Sequence, residues 1–194
     1  MFGCGPRQCN RYRKKVDDMM GKLIAVIIVI TTVIAGGALY YLQVYAYYDT
    51  VPATGAQDVQ MIAQASNAPE PVPHSDFRAI DSDSSPIRYR ACFTTSLTLD
   101  AARATHVVAP GISPRNAPNW FDCFDAAALG AELDAGTAVT FMGAKNVFYG
   151  VDRIVALTDD GRGFVWHELN DCGEKAYDGT MVGETCPPRP ATVD

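Results

Sequence analysis

From Leu23 through Phe77 the chain contains no lysine or arginine, although 16 basic residues are present among its 194. Basic charge is the scarcer sign overall, with 16 Lys+Arg against 22 Asp+Glu and a formal net charge of −6. The first 22 residues hold six bases and two acids, a net +4, so the ten bases and twenty acids that follow carry −10. Nucleic-acid binding rests on neutralising phosphates with Lys and Arg, and this acidic balance excludes it. Reactive motifs are missing too. No serine sits in a G-x-S-x-G turn, and neither H-E-x-x-H nor H-x-H occurs, which excludes the common hydrolase elbow and zinc-protease arrangements. No glycine loop suited to phosphate is present, since Gly161-Arg162-Gly163 reads as a hairpin turn, and no internal repeat is visible.

What is present is an uncharged run of 20 residues, Leu23 to Leu42. At 1.5 Å per residue a helix of that length spans about 30 Å, the thickness of a bilayer's hydrocarbon core. The run reads as a transmembrane helix over residues 23–47. Arg7, Arg11, Arg13, Lys14, Lys15 and Lys22 lie in front of it, which predicts a cytoplasmic N-terminus, an exported C-terminal part and insertion in a bacterial inner membrane. Tyr40, Tyr41, Tyr45, Tyr47 and Tyr48 crowd the far end, where amphipathic rings sit well at headgroup depth. The competing reading is a cleaved signal peptide with Val44-Tyr45-Ala46 as its site, but the apolar run is longer than the usual signal core of roughly 7 to 15 residues. Thr32 and Gly36, with Thr31 and Ala35 beside them, form a small-residue face against which a second helix could pack closely.

The expected organisation follows: a basic cytoplasmic segment over 1–22, the span over 23–47, a proline-rich stalk over 48–75, a folded periplasmic domain over 76–186, and a disordered tail over 187–194. Met20-Gly21-Lys22 offers a compact alternative start, which would remove Cys4 and Cys9; if translated, these two read as unpaired thiols in a reducing compartment. The other four cysteines, Cys92, Cys123, Cys172 and Cys186, are an even number on the exported side and predict disulfides. Three pairings are possible. Cys92 with Cys123 and Cys172 with Cys186 is the favoured set, the second closing a short loop; none of the four lies in a C-x-x-C redox motif.

Within the domain, Ile87, Tyr89, Ala91 and Phe93 alternate with polar neighbours and predict a strand. A short helical turn capped at Asp100 is expected over Leu97 to Arg103, then a loop through Pro110, Gly111, Pro114 and Pro118. Phe121 to Ala135 reads as a helix capped by Asn119 or Asp122 and stopped by Gly136. Strands are expected at Thr137–Met142, Val151–Thr158 and Gly163–Leu169, the last two joined through Asp159-Asp160-Gly161-Arg162. The order predicts an α+β domain, with a mostly antiparallel sheet of four or five strands and the Phe121 helix packed on one face.

Several residues invite a chemical reading. His74, His106 and His167 lie far apart in sequence, so a shared site needs the fold to converge them, and the simpler expectation is surface or half-buried histidines without a catalytic role. Asp81-Ser82-Asp83-Ser84-Ser85 resembles the opening of a calcium loop, yet Pro86 and Cys92 stand where the sixth-position glycine and twelfth-position glutamate belong, so it reads as a solvated turn. Asp122 and Asp125 read as a helix start rather than a catalytic pair. Arg88 and Arg90 share a strand face and could form an anion pocket, the alternative being salt bridges along the sheet. No metal and no cofactor is expected.

Four segments carry a resemblance: RYRACF (Arg88 to Phe93), NAPNWFDCFDAA (Asn116 to Ala127), GVDRIVAL (Gly150 to Leu157) and WHELND (Trp166 to Asp171). Over about Met20 to Asp171 the chain resembles a family of short alphaproteobacterial proteins of unknown function with one N-terminal membrane span. Cys92 and Cys123 lie inside the resembling motifs, which favours their pairing. Some members carry the name histidine kinase, but this sequence has no dimerisation helix with an H-E pair and no ATP-lid boxes. The expected function is therefore non-enzymatic: a membrane-anchored periplasmic interaction protein, with the lipid bilayer and an inner-membrane protein or complex as partners and a role as accessory or assembly factor. The alternative is a periplasmic ligand-binding or enzymatic domain using Arg88 and Arg90.

Overall fold

The computed structural model describes residues 6–184 and 186–188 and divides the chain into two units, Met1–Ala46 and Tyr47–Asp194. The first unit is helical. Helix α1 runs Pro6–Tyr41 and closes in a wider π-helical turn, Leu42–Ala46. Within it Asp18–Ala46, 29 residues, is long and apolar enough to cross a membrane, a description that a signal sequence also meets. Helical structure thus reaches back into the basic segment. Cys4, the side chain of Cys9 and residues 189–194 of the expected tail lie outside the described residues.

The second unit is α+β, built on a six-stranded sheet in the order β1-β4-β5-β8-β7-β6. Its strands are β1 (Asp49–Val51), β4 (Ser75–Asp81), β5 (Arg90–Thr94), β6 (Ala138–Phe148), β7 (Val151–Thr158) and β8 (Arg162–Leu169). Every pairing is antiparallel. The expectation of four or five strands falls short because two of them lie in or run into the segment read as a stalk.

That stalk is corrected by the structure. Within 48–75, β1 pairs with β4, and β2 (Gln60–Ile62) forms a hairpin with β3 (Pro69–Pro71). Val59, Met61 and Val72 are at most 1% exposed, in one core with Ala91, Phe93, Phe141, Val155 and Val165. Of the prolines that suggest a linker, Pro52 follows β1 and Pro69, Pro71 and Pro73 sit in or beside β3, which pairs with β2 alone, and a strand with a free edge tolerates residues lacking an N–H. Strand β5 starts three residues later than expected, because Ser82 to Arg88 is a turn in which Ser85 and Arg88 donate main-chain bonds to Ser82 and Ser85.

Both faces of the sheet are covered. On one, the β2–β3 hairpin and helix α2 (Leu99–Thr105) cover Phe93, Phe141, Leu157 and Val165. On the other, helix α3 (Ala126–Ala135) and the loop before it bring Phe121, Phe124 and Leu129 onto Ile154, Phe164 and Trp166. The caps differ from expectation. Thr98, not Asp100, caps α2, and Asp125 caps α3 by accepting from the main-chain N–H groups of Ala127 and Ala128 at 3.0 Å. Phe121, Cys123 and Phe124 belong to the preceding turn, so the helix is shorter than its apolar pattern implies. Gly136 ends it at φ 77°, a left-handed conformation that glycine adopts without penalty.

Candidate functional site

Arg90 opens β5 opposite Trp166, on the face covered by α3. All three of its guanidinium nitrogens donate to main-chain carbonyls. Nε reaches Arg115 at 3.0 Å and Asn116 at 3.1 Å, Nη1 reaches Ile87 at 2.9 Å and Tyr89 at 2.7 Å, and Nη2 reaches Asn116 at 2.9 Å. Its charge lies 5.8 Å from the centre of the Phe124 ring. Burial lowers its pKa to about 10, so it stays charged at neutral pH. Arg88 does a different job: its guanidinium lies 5.6 Å from the Tyr48 ring centre, and Nη1 is buried without a hydrogen-bond partner. The paired anion pocket is corrected accordingly, because Arg90 fastens the 110–118 loop onto the sheet. Arg115, next along that loop, pairs with Glu168.

The opposite face carries a polar row near one end of the sheet, made by Asp81, Tyr89, His167 and Arg153 on or beside β4, β5, β8 and β7. His167 is 1% exposed and lies 14 residues from Arg153 in sequence, directly opposite it in the ladder. Its Nδ1 is 2.7 Å from the Pro86 carbonyl, and Arg153 Nε approaches its Nε2 at 3.1 Å. A carbonyl only accepts and an arginine only donates, so Nδ1 carries the proton and Nε2 takes the Arg153 hydrogen. Burial lowers the His167 pKa to about 4, against the help of the Pro86 carbonyl, and Arg153 pushes it the same way. The ring stacks on Tyr89 at 4.8 Å, and Arg153 lies 4.7 Å from the Tyr89 ring centre on this face. Burial pushes the Tyr89 phenol up to about 12 and raises the half-buried Asp81 carboxyl. A neutral imidazole with both nitrogens engaged is a packing element rather than a base waiting for substrate.

The remaining expected groups are dispersed. His74 bonds the Val72 carbonyl through Nδ1 at 2.8 Å and packs on Phe77 and Phe93, while His106 caps α2 beside the Thr105 hydroxyl. Asp81 accepts from the Ser82 N–H, and the Ser82 and Ser84 hydroxyls bond each other at 2.7 Å, so this turn satisfies itself. Asp122 pairs with Arg78 at 2.8 Å in the open. Among the described residues no three His, Cys, Asp or Glu side chains converge to hold a metal ion. Thr32 returns its hydroxyl to the Ile28 carbonyl at 2.7 Å, and a Cβ at Gly36 would meet nothing within 4 Å among the described residues.

Both expected disulfides form. Cys92–Cys123 ties β5 to the turn ahead of α3, and Cys172–Cys186 closes the C-terminal loop. Disulfides of this kind fit an extracytoplasmic domain.

Phe148 and Tyr149, aromatic residues of a kind more often found in a core, lie at the surface here. Leu169 and Phe148 each pair with Val151, so the three form a short apolar row across β8, β7 and β6. Val151 is buried, yet Phe148 is 49% and Leu169 59% exposed, with Tyr149 in the adjoining turn. Val182 and Met181, on the disulfide-closed loop, are exposed as well, and that loop is held to β6 by Lys145 and Glu184. Strand alternation fails to mark this end because the ladder between Ala144 and Phe148 is irregular.

No curated protein and no solved structure matches the chain. Residues 59–187, well over half of it, match a family of unknown function, and the chain belongs to that family, DUF6446.

Proposed function

We propose that this chain is a single-pass protein of a bacterial inner membrane, with its N-terminus in the cytoplasm and its α+β domain in the periplasm. It works by binding another envelope protein, as an accessory or assembly factor, and performs no catalysis. The observation that carries this reading is the direct succession of two features: a 29-residue apolar helix ending at Ala46 and a disulfide-bonded domain whose first strand starts at Asp49. Six bases before Leu23 and none between Leu23 and Phe77 support the orientation. The engagement of Arg90 and His167 with main chain and Arg153 supports a domain that presents a surface rather than a reaction centre.

Co-purification of the tagged full chain after mild detergent extraction tests the reading, and a stoichiometric envelope partner is the expected result. Recovery as a lone monomer, with no partner even after crosslinking in intact cells, would remove it. The mass of the purified chain separates anchor from signal peptide. A chain cut after Ala46 would overturn the anchor.

A further inference from the structure

Between β8 and the disulfide-closed loop the chain passes through Asn170, whose side chain holds two segments at once. Its Nδ2 donates to Asp152 Oδ1 at 2.6 Å and to Asn146 Oδ1 at 3.1 Å, and its Oδ1 accepts from the Cys172 N–H at 3.1 Å. Asp152 is buried and its Oδ1 also takes the Asn146 N–H at 2.8 Å, while the Asn170 N–H bonds the Gly150 carbonyl at 3.0 Å. Asn146 stands at φ 50°, a left-handed conformation that asparagine tolerates better than most residues, and the stretch it opens carries Phe148 and Tyr149. The loop grips the same stretch from its other end. Lys145 pairs with Glu184 at 2.5 Å, and a Cβ at Gly173 would stand 3.0 Å from Cys186 Sγ and 3.6 Å from Tyr149 Oη.

The two bridges are coupled to the fold unequally. Cys92–Cys123 spans 31 residues and packs with Phe121, Phe124 and Phe164, whereas Cys172–Cys186 spans 14 and lies outside both hydrophobic clusters. A bond that stabilises a fold is protected from reduction by that fold to the same extent, because the coupling is reciprocal. We infer that Cys172–Cys186 is a reversible exchange site for a dithiol, and that its reduction loosens residues 145–150 through Asn170 and Glu184. A thiolate of the dithiol attacks Cys186 Sγ, against which Gly173 places no side chain. An S–S bond forms between them as the Cys172–Cys186 bond breaks, and Cys172 leaves as a thiolate that takes up a proton. The second thiol of the dithiol then gives up its proton and attacks the mixed disulfide. The dithiol departs as a disulfide and Cys186 is released as a thiolate that is protonated in turn, so the dithiol is oxidised and the protein bridge reduced. The loop keeps main-chain bonds of its own, from Val182 to Glu174 and from Ala176 to Thr180. Its hold on β6 is what weakens, rather than its hairpin.

The test uses the oxidised full chain in mild detergent, with Cys4 and Cys9 blocked beforehand by N-ethylmaleimide. The ratio of reduced to oxidised dithiothreitol is raised stepwise, and freed thiols are trapped with an isotopically heavier maleimide and located by peptide mass spectrometry. Cys172 and Cys186 should be trapped at a ratio about tenfold below the one that frees Cys92 and Cys123. Within that window hydrogen exchange should rise about threefold over residues 145–150, stay unchanged over 154–158, and return to its starting rate on reoxidation. Cys172→Ser with Cys186→Ser should reproduce the faster exchange without any reductant. Bridges that reduce together, or Cys92–Cys123 reduced first, overturn the exchange site. Equal exchange over 145–150 in the two redox states overturns the coupling through Asn170 and Glu184. A rise that extends to 154–158 also overturns it, by assigning the change to unfolding of the whole domain. None of these readouts depends on the anchor, so failure here leaves the proposed function standing.

Discussion

Phe93 packs its ring over Gly163, the residue directly opposite it in the β5–β8 ladder, so closely that a Cβ at 163 would fall 2.1 Å from Cζ. Phe93 is 3% exposed among Met61, Phe141 and Val165, and has no open space into which to swing. Gly163→Ala should therefore overpack the core and lower stability by about 2 kcal/mol. Thermal unfolding followed by circular dichroism checks this, and Gly163→Ala combined with Phe93→Leu should recover part of the loss. A neutral Gly163→Ala would show that the ring is not confined.

The segment over 48–75 distinguishes a linker from a structural part. Met61 is fully buried, so Met61→Ala should cost about 3 kcal/mol, and deletion of residues 48–75 should leave the domain unfolded rather than merely untethered. Limited proteolysis of the deletion checks this. A protease-resistant core of undiminished stability would restore the stalk.

His167 sets a pH dependence. Its folded pKa of about 4 lies below the ordinary 6.5, so between those values the unfolded chain binds more protons than the folded one. Stability is full above pH 6.5 and falls on acidification through that window, by up to about 1.4 kcal/mol per pH unit. The half-buried Asp81, whose carboxyl is raised by burial, acts in the opposite direction at the acid end. Asp160, held low by the Thr158 hydroxyl and Arg162, loses its contribution only at still lower pH. Urea titrations between pH 4 and 8 should show the slope and His167→Asn should flatten it. Arg153→Leu removes both a donor to Nε2 and a nearby positive charge, so it should move the midpoint toward 6.5.

Arg90 separates an anion site from a loop fastener. Arg90→Lys keeps the charge but not the planar fork, so it should fail to restore the carbonyl bonds and should destabilise the domain nearly as much as Arg90→Ala, by about 3 kcal/mol. Hydrogen exchange over residues 110–118 should accelerate in both. A lysine variant with wild-type stability and exchange would contradict the geometry described.

The two disulfides should differ in effect. Cys92 is buried in the core, and its bridge closes a separation of 31 residues, so Cys92→Ser with Cys123→Ser should cost about 3 to 4 kcal/mol. Cys172→Ser with Cys186→Ser frees a loop outside both hydrophobic clusters and should leave the main melting transition within about 1 kcal/mol while exposing 173–184 to protease.

The apolar helix, the strand Val151–Thr158, the 159–162 hairpin and the Gly136 stop were legible in the chain because each rests on local pattern; the even cysteine count predicted bridging, but the choice among three pairings depends on the fold, which brings Cys92 to Cys123 across 31 residues. Strand pairing was not legible either. Pro69, Pro71 and Pro73 read as linker until β3 is seen to pair on one side only, and Val59 and Met61 become core only once the β2–β3 hairpin folds onto the sheet. Arg88 and Arg90 read as a matched pair from their spacing, yet Arg90 is claimed by carbonyls of Arg115 and Asn116, 25 and 26 residues away.

What the sequence by itself determined is a helix apolar enough for a bilayer, the sign of charge on either side of it, and a domain of antiparallel strands with cysteines suited to bridging. Those properties follow from side-chain hydrophobicity, periodicity and charge along a short stretch of chain. What only the tertiary structure decided is which polar groups are spent internally and which apolar ones stay outside. Burial depends on residues distant in sequence. The ladder register that joins Leu169 and Phe148 to Val151 gathers exposed apolar residues into one row across β8, β7 and β6.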